Sequence, residues 1–369
     1  MSFSHIIEQF NWDEVTHSIQ NKTSKDVERA LANSNRTLED FKALISPAAR
    51  PYLEEMAQMS RALTQKRFGK TIQLYAPLYL SNTCSNHCIY CGFNYNNKIE
   101  RKTLTLDEIA QEIALIKELG FNHVLLVTGE SKQTVHVDYF MKAIDLIKPH
   151  FANISIEVQP LDEEEYKLLS DAGVYAVQIY QETYNSDKYP DYHPKGKKSD
   201  YHYRLQTPDR AGKAGIHKIG LGVLLGLEDW RTDSFFCALH LDYLQKKYWQ
   251  TKYSISFPRI RPAQGSFAPN NIVTDSDLVQ LLCAYRLFNE DIELSISTRE
   301  SEQFRNNIIE LGVTSMSAGS KTNPGGYAVE PESLKQFTIS DERTPNQVAQ
   351  FISSINYEPL WKDWDRSFI

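Results

Sequence analysis

Three cysteines, Cys84, Cys88 and Cys91, fall within eight residues in the run Cys84-Ser-Asn-His-Cys88-Ile-Tyr-Cys91. Three thiolates at C-x3-C-x2-C spacing wrap three corners of a cubane [4Fe–4S] cluster. With no fourth cysteine nearby, the fourth iron stays open to another ligand. A structural zinc site completed by His87 or a remote histidine would draw on the same thiols. Zinc motifs usually come as two pairs, however, and no second pair follows. The other two cysteines, Cys237 and Cys283, stand alone in apolar, helix-like stretches and read as buried structural thiols. A total of five, with three clustered, fits metal ligation in a reducing compartment better than a disulfide scaffold.

Other groups able to do chemistry sit at the ends of apolar runs. Thr128-Gly129-Glu130 closes one run, where a plain turn is the bland alternative. Glu157 lies in Ile156-Glu-Val-Gln-Pro160, and burying an acid at a strand end is costly unless it is hydrogen-bonded. Arg204, in Tyr203-Arg-Leu205, has a surface ion pair of little value as its plain reading. Gly222-Val-Leu-Leu-Gly226 is a glycine-spaced apolar strand, a weak signal alone. Arg299 follows the seventh apolar run, where a salt bridge to the scaffold is its plain reading. His123 and His217 stand at strand entrances, where structural histidines are commoner than ligands.

These residues need a scaffold that brings strand ends together. Eight short apolar runs are spaced along the chain: Leu74–Leu80, His123–Thr128, Ile154–Gln159, Tyr175–Tyr180, Ile219–Leu225, Tyr253–Phe257, Ile292–Ser297 and Val313–Ser317. Helical stretches lie between most of them. Leu106 to Leu119 is one, with Thr105 or Asp107 suited to its start and Gly120 to its end. The alternation predicts an α/β fold of the (β/α)8 TIM-barrel type, with a doubly wound open sheet as the other solution. Residues 1–70 are helical in pattern and predict an N-terminal extension, 71–330 the barrel, and 331–369 a C-terminal helical cap closing over it. The loop from Tyr184 to Tyr203, crowded with Tyr, His and Lys, reads as a lid or a solvated loop.

The cysteine run, with the aromatic Tyr90 before its last cysteine, resembles the signature of the radical S-adenosylmethionine (SAM) superfamily. The resemblance implies that SAM chelates the open iron and yields a 5′-deoxyadenosyl radical that abstracts a substrate hydrogen. It also implies cofactor contacts: Thr128-Gly129-Glu130 for the methionyl amine, Glu157 and Arg204 for ribose and carboxylate, and Gly222 to Gly226 beside the adenine. Further motifs occur in order: Pro77-Leu-Tyr79-Leu-Ser-Asn82, Gln181-Glu-Thr-Tyr184, Lys195-Gly-Lys-Lys198, Thr207-Pro-Asp-Arg210, Ser254-Ile-Ser-Phe-Pro-Arg259, Leu294 to Glu300, Ser317-Ala-Gly-Ser-Lys321, Pro324-Gly-Gly-Tyr327 and Trp361-Lys-Asp-Trp-Asp365. Together they resemble the thiamine-pathway tyrosine lyases. That implies cleavage of the Cα–Cβ bond of L-tyrosine to 2-iminoacetate and p-cresol, with Arg299, Ser317 and Tyr79 on the substrate. It further implies an external electron donor and a complex with thiazole synthase.

Net charge of −7 and a pI near 5.8 disfavour a nucleic-acid or anionic-membrane surface. No apolar run approaches the roughly 18 residues that span a bilayer, and the polar N-terminus lacks a signal-peptide core, so the chain reads as cytoplasmic. Three rivals remain. A hydrogenase-maturation tyrosine lyase carries a second cysteine-bound cluster in a C-terminal extension, and no cysteine follows Cys283 here. A biotin-synthase-like sulfur inserter would need an auxiliary cluster from Cys237 and Cys283. A zinc-stabilised binding protein would do no catalysis.

Overall fold

The computed structural model describes residues 2–265, 267–329 and 335–362. Eight parallel strands close into a barrel: β1 Thr71–Ser81, β2 His123–Thr128, β3 Asn153–Glu157, β4 Val174–Gln178, β5 Lys218–Gly222, β6 Lys252–Ser256, β7 Glu293–Ile296 and β8 Ser315–Ser317. Each pairs with the next, and β1 pairs with both β2 and β8, so the sheet has no open edge within this ring. The fold is the TIM-type barrel, not the open sheet. The helix after β1 begins at Thr105, whose hydroxyl and Glu108 form a capping box, and ends before Gly120 at φ +94°.

The pairing registers fix the height of each inward side chain. Followed once around the ring, the residue partnered to Tyr79 descends to Thr71, a shear of eight. At equal height the register therefore advances one residue per strand. Leu125, Gln178, Ser256 and Ser317 form one layer from alternate strands. Tyr75, Ser155, Gly220 and Ser295 form the layer beneath. Tyr79 lies three residues above the first layer, roughly 10 Å along a strand.

A ninth strand, β9 (Glu358–Leu360), runs parallel to Thr71–Gln73. It covers the start of β1, which β2 leaves unpaired because their register begins only at Ala76. Trp361 follows, its ring against Phe121. The end of the described tail thus sits at the strand N-termini, whereas Gln336 and Phe337, earlier in the same tail, line the cavity at the strand C-termini. Residues 330–334, together with Trp364 and Asp365, lie outside the described residues. The N-terminal helices between Phe3 and Phe68 pack on the helices Trp230–Lys247 and Asp275–Phe288. Cys237 and Cys283 are buried in those two helices, apart from the mouth. Among the described residues, no helix is long and apolar enough to cross a membrane.

The end of β8 is anchored by a buried ion pair. Arg305 donates to the Ser317 carbonyl and to Asp341, and both charged side chains are fully enclosed. Arg343 adds a second guanidinium to Asp341 at 2.6 Å. Removing the shared acid leaves Arg305 charged and unpaired, which costs about 3–5 kcal/mol in such settings. Asp341→Ala is expected to lower the unfolding free energy by that amount, measured by denaturant titration; a change within about 0.5 kcal/mol would overturn this account.

Candidate active site

A single cavity at the strand C-termini gathers almost every residue singled out in the sequence. Its wall carries Cys84, Cys88, Cys91, Tyr79, Tyr90, Thr128, Gly129, Glu130, Glu157, Arg204, Arg299 and Ser317. The strands contribute alternate residues, as the two-residue period requires: Tyr75, Pro77 and Tyr79 from β1, Leu125 and Val127 from β2, Ser295 and Ser297 along β7. Gly222 and Gly226 are not on this wall, although Leu224 between them is. A Cβ on Gly222 would meet the Tyr180 ring at 3.0 Å, so this glycine makes room for a neighbour. Gly226 turns the chain at φ +117° and accepts from the amides of Asn270 and Asn271.

The cysteine loop is clamped from both sides. Gly129 follows β2 so closely that a Cβ there would lie 2.4 Å from the Thr83 carbonyl. The Glu130 carbonyl accepts from the Ser85 amide and hydroxyl, each at 2.9 Å. Its carboxylate accepts from Asn86 Nδ2 at 2.8 Å and Arg204 Nη1 at 3.0 Å. Beyond the cysteines, Arg101 donates to the carbonyls of Asn82, Phe93, Asn94 and Asn97, which fixes the loop's return. Gln336 bridges the mouth, accepting from the Tyr79 hydroxyl at 2.7 Å and reaching Cys91 Sγ at 3.8 Å.

The 184–203 loop is solvated only in part. Tyr184, Tyr189, Tyr192 and His193 are buried, and the loop is a platform under the cysteines. The carbonyls of Lys195 and Tyr192 accept from the amides of His87 and Ile89. His193 Nε2 lies 2.8 Å from the Tyr90 hydroxyl. The sequence reading missed Lys198, whose Nζ donates to Glu182 at 2.6 Å while its amide donates to Asn86. Glu182 has φ 72°, an uncommon conformation for a non-glycine residue at a site. Burial raises its carboxyl, but Lys198 and Arg204 together hold it below the ordinary range. The signal available for Lys198 was the Lys195-Gly-Lys-Lys198 run, which alone looks like a solvated charge patch.

The donor set fits a cluster better than one ion. Among the described residues no three His, Cys, Asp or Glu side chains converge closely enough to hold one metal ion. Three thiols nonetheless face one cavity, as a larger polynuclear group needs. Burial pushes Cys84 up to about 11, and Cys88 and Cys91 also rise, so thiolates form here only beside a cation. His87 packs against Tyr95 with the two rings tilted by 33° and is not on the cavity wall. Thr128 Oγ1 is buried without a hydrogen-bond partner, leaving a free polar group next to Glu130.

The Radical SAM superfamily model matches residues 78–236, and the Biotin and Thiamin Synthesis associated domain model matches 256–358. A 2-iminoacetate synthase of Escherichia coli (strain K12) is 50% identical over 99% of this chain and 97% of its own. The chain belongs to the 2-iminoacetate synthase family of radical SAM proteins. A second member, from Salmonella typhimurium, is 49% identical over 97% of this chain and 95% of its own. The crystal structure of HydG, a maturase of the [FeFe]-hydrogenase, superposes with a TM-score of 0.89. It is 31% identical, with 95% of this chain and 80% of that one covered, so the hydrogenase-maturation alternative fits less well.

Burial raises the Glu157 carboxyl to about 7, the largest opposing influence being Arg299. The folded protein therefore keeps this proton up to about pH 7 while the unfolded chain loses it near 4.5, so stability falls as pH rises through that window. Glu157→Gln removes the effect. The variant's unfolding free energy, measured by denaturant titration at each pH, is expected to gain on that of the wild type from pH 4.5 to 7.5, by on the order of 3 kcal/mol at the upper end. A pH-independent difference would contradict the assignment.

Proposed function

We propose that this protein is a carbon–carbon lyase that splits the Cα–Cβ bond of L-tyrosine to give 2-iminoacetate and p-cresol, supplying the thiazole ring of thiamine. The observation that carries the reading is the state of Arg299. Its guanidinium stacks on Phe337 at 3.5 Å and, among the described residues, has no hydrogen-bond or ion-pair partner. The two other arginines nearby are occupied: Arg259 and Arg261 both donate to the buried Glu300. A cation held free at a cavity wall, in a family of 2-iminoacetate synthases, suits an amino-acid carboxylate.

Cys84, Cys88 and Cys91 would hold a [4Fe–4S] cluster, and Glu130, Arg204, Thr128 and Glu157 surround the place where SAM would meet it. Together these groups supply, when bound, a one-electron route to hydrogen abstraction. The protein's own residues do the rest. Arg299 draws the substrate carboxylate to the mouth and so orients the amine toward the cofactor side. Ser317, whose hydroxyl accepts from the Thr298 amide at 3.1 Å, keeps a proton to donate into the cavity. Tyr79, tied to Gln336, narrows the entrance and helps exclude water. An external electron donor, a complex with thiazole synthase, and a cytoplasmic setting complete the reading.

Anaerobic incubation with reductant, SAM and L-tyrosine is expected to give p-cresol and 5′-deoxyadenosine together; deoxyadenosine without p-cresol would reject the substrate. Iron and sulfide analysis after reconstitution should find about four of each per chain, whereas stoichiometric zinc would sink the cluster assignment. Arg299→Ala should lower kcat/KM for tyrosine by about 10- to 100-fold while the cluster absorbance survives, the loss belonging to one charge-assisted hydrogen-bonded pair. Loss of the cluster in that variant would mark Arg299 as structural.

A further inference from the structure

The floor of the cavity holds an unexplained amide. Gln178 ends β4 in the layer below Tyr79, and its side chain lines the cavity. The neighbouring strand makes space for it. Gly220 is its register partner on β5, and a Cβ there would lie 1.6 Å from Gln178 Oε1. The glycine is therefore required for the amide to lie in this position. No hydrogen bond engages the Gln178 side chain among the described residues. Two polar pairs lining the same cavity are already formed: the Tyr180 hydroxyl donates to Ser256 Oγ at 3.1 Å, and the Tyr75 hydroxyl lies 3.3 Å from Ser295 Oγ.

An amide left without a partner in an aromatic-walled floor is a recognition element for a polar group at the far end of a ligand. The free cation Arg299 stands at the mouth and the free amide stands roughly three strand residues lower, about 10 Å along the strand. Two unsatisfied groups so separated match an extended molecule with a carboxylate at one end and a neutral hydroxyl at the other. Burying a carboxylate at the floor would find no cation there: Lys218, below this layer, is already paired with Glu293.

We infer that Gln178 receives the phenol hydroxyl of the substrate, and that Gly220 exists to seat it. The inference rests on the tyrosine-lyase reading and adds the group that separates tyrosine from phenylalanine. A site built to hydrogen-bond a hydroxyl discriminates strongly against the analogue that lacks it, because its own polar group is then left unpaired.

The test uses the reconstituted, SAM-loaded holoenzyme. Binding of L-tyrosine and L-phenylalanine is measured by calorimetry without reductant, and p-cresol formation is followed with it. The wild type is expected to bind tyrosine at least 10-fold more tightly than phenylalanine. Gln178→Met, similar in length but apolar, should weaken tyrosine by about 10- to 100-fold and leave phenylalanine within about threefold. Gln178→Glu, which restores an acceptor, should recover part of the preference, and unchanged cluster absorbance in both variants verifies the fold. If Gln178→Met keeps the tyrosine preference, or loses both ligands equally, the inference fails. Wild-type protein that forms no p-cresol would instead defeat the tyrosine-lyase reading itself, so the two failures are distinguishable.

Discussion

One buried carboxylate holds the working end of this barrel together. Glu130 follows β2 and joins three segments distant in sequence: the cysteine loop through Asn86, the 201–205 helical turn through Arg204, and its own strand through Gly129. A buried ion pair gains little unless its remaining hydrogen-bonding capacity is also met. Here it is met, since Arg204 also donates to the Tyr180 carbonyl at 2.7 Å and lies 3.7 Å from Glu182. The three thiols are placed by this linkage, because their loop has no regular secondary structure of its own to place them.

The same economy of charge governs the substrate side. Glu300 is almost fully enclosed and takes the guanidinium groups of both Arg259 and Arg261, which leaves its sequence neighbour Arg299 without an ion-pair partner among the described residues. Arg299 has an aromatic ring beneath it instead of a carboxylate, which holds its plane without neutralising it. Placing Glu300 one residue further along turns it to the other side of the chain, so adjacent charges serve opposite purposes. Specific binding of an anion needs this kind of local excess, since a cation already paired offers little to a ligand.

Below the mouth, the barrel's shear decides which residues meet. Leu125, Gln178, Ser256 and Ser317 come from four strands spread over nearly 200 residues and share one layer. The glycines of β5 matter as absences: Gly220 and Gly222 lend their space to Gln178 and Tyr180. The cavity is therefore shaped as much by what β5 omits as by what its neighbours present.

Much of this was legible in the chain. The C-x3-C-x2-C run named its chemistry because thiolate spacing is a local property, and the eight apolar runs gave the barrel because strand and helix periods are local too. All eight expected runs overlap their strands along most of the observed length, although the run Val313–Ser317 begins two residues before β8. Lys198, Gln178, Glu300 and Gln336 were not legible as site residues, since each acquires its role from a partner dozens to hundreds of residues away. The 184–203 loop read as a lid or a solvated loop because its Tyr, His and Lys content is polar, yet tertiary packing turns Tyr184, Tyr189, Tyr192 and His193 inward. Sequence alone determined the ligand set, the alternation of elements and the family motifs, all carried by short-range spacing. Only the tertiary structure decided which charges are paired and which stay free, because pairing depends on the register and closure of the barrel.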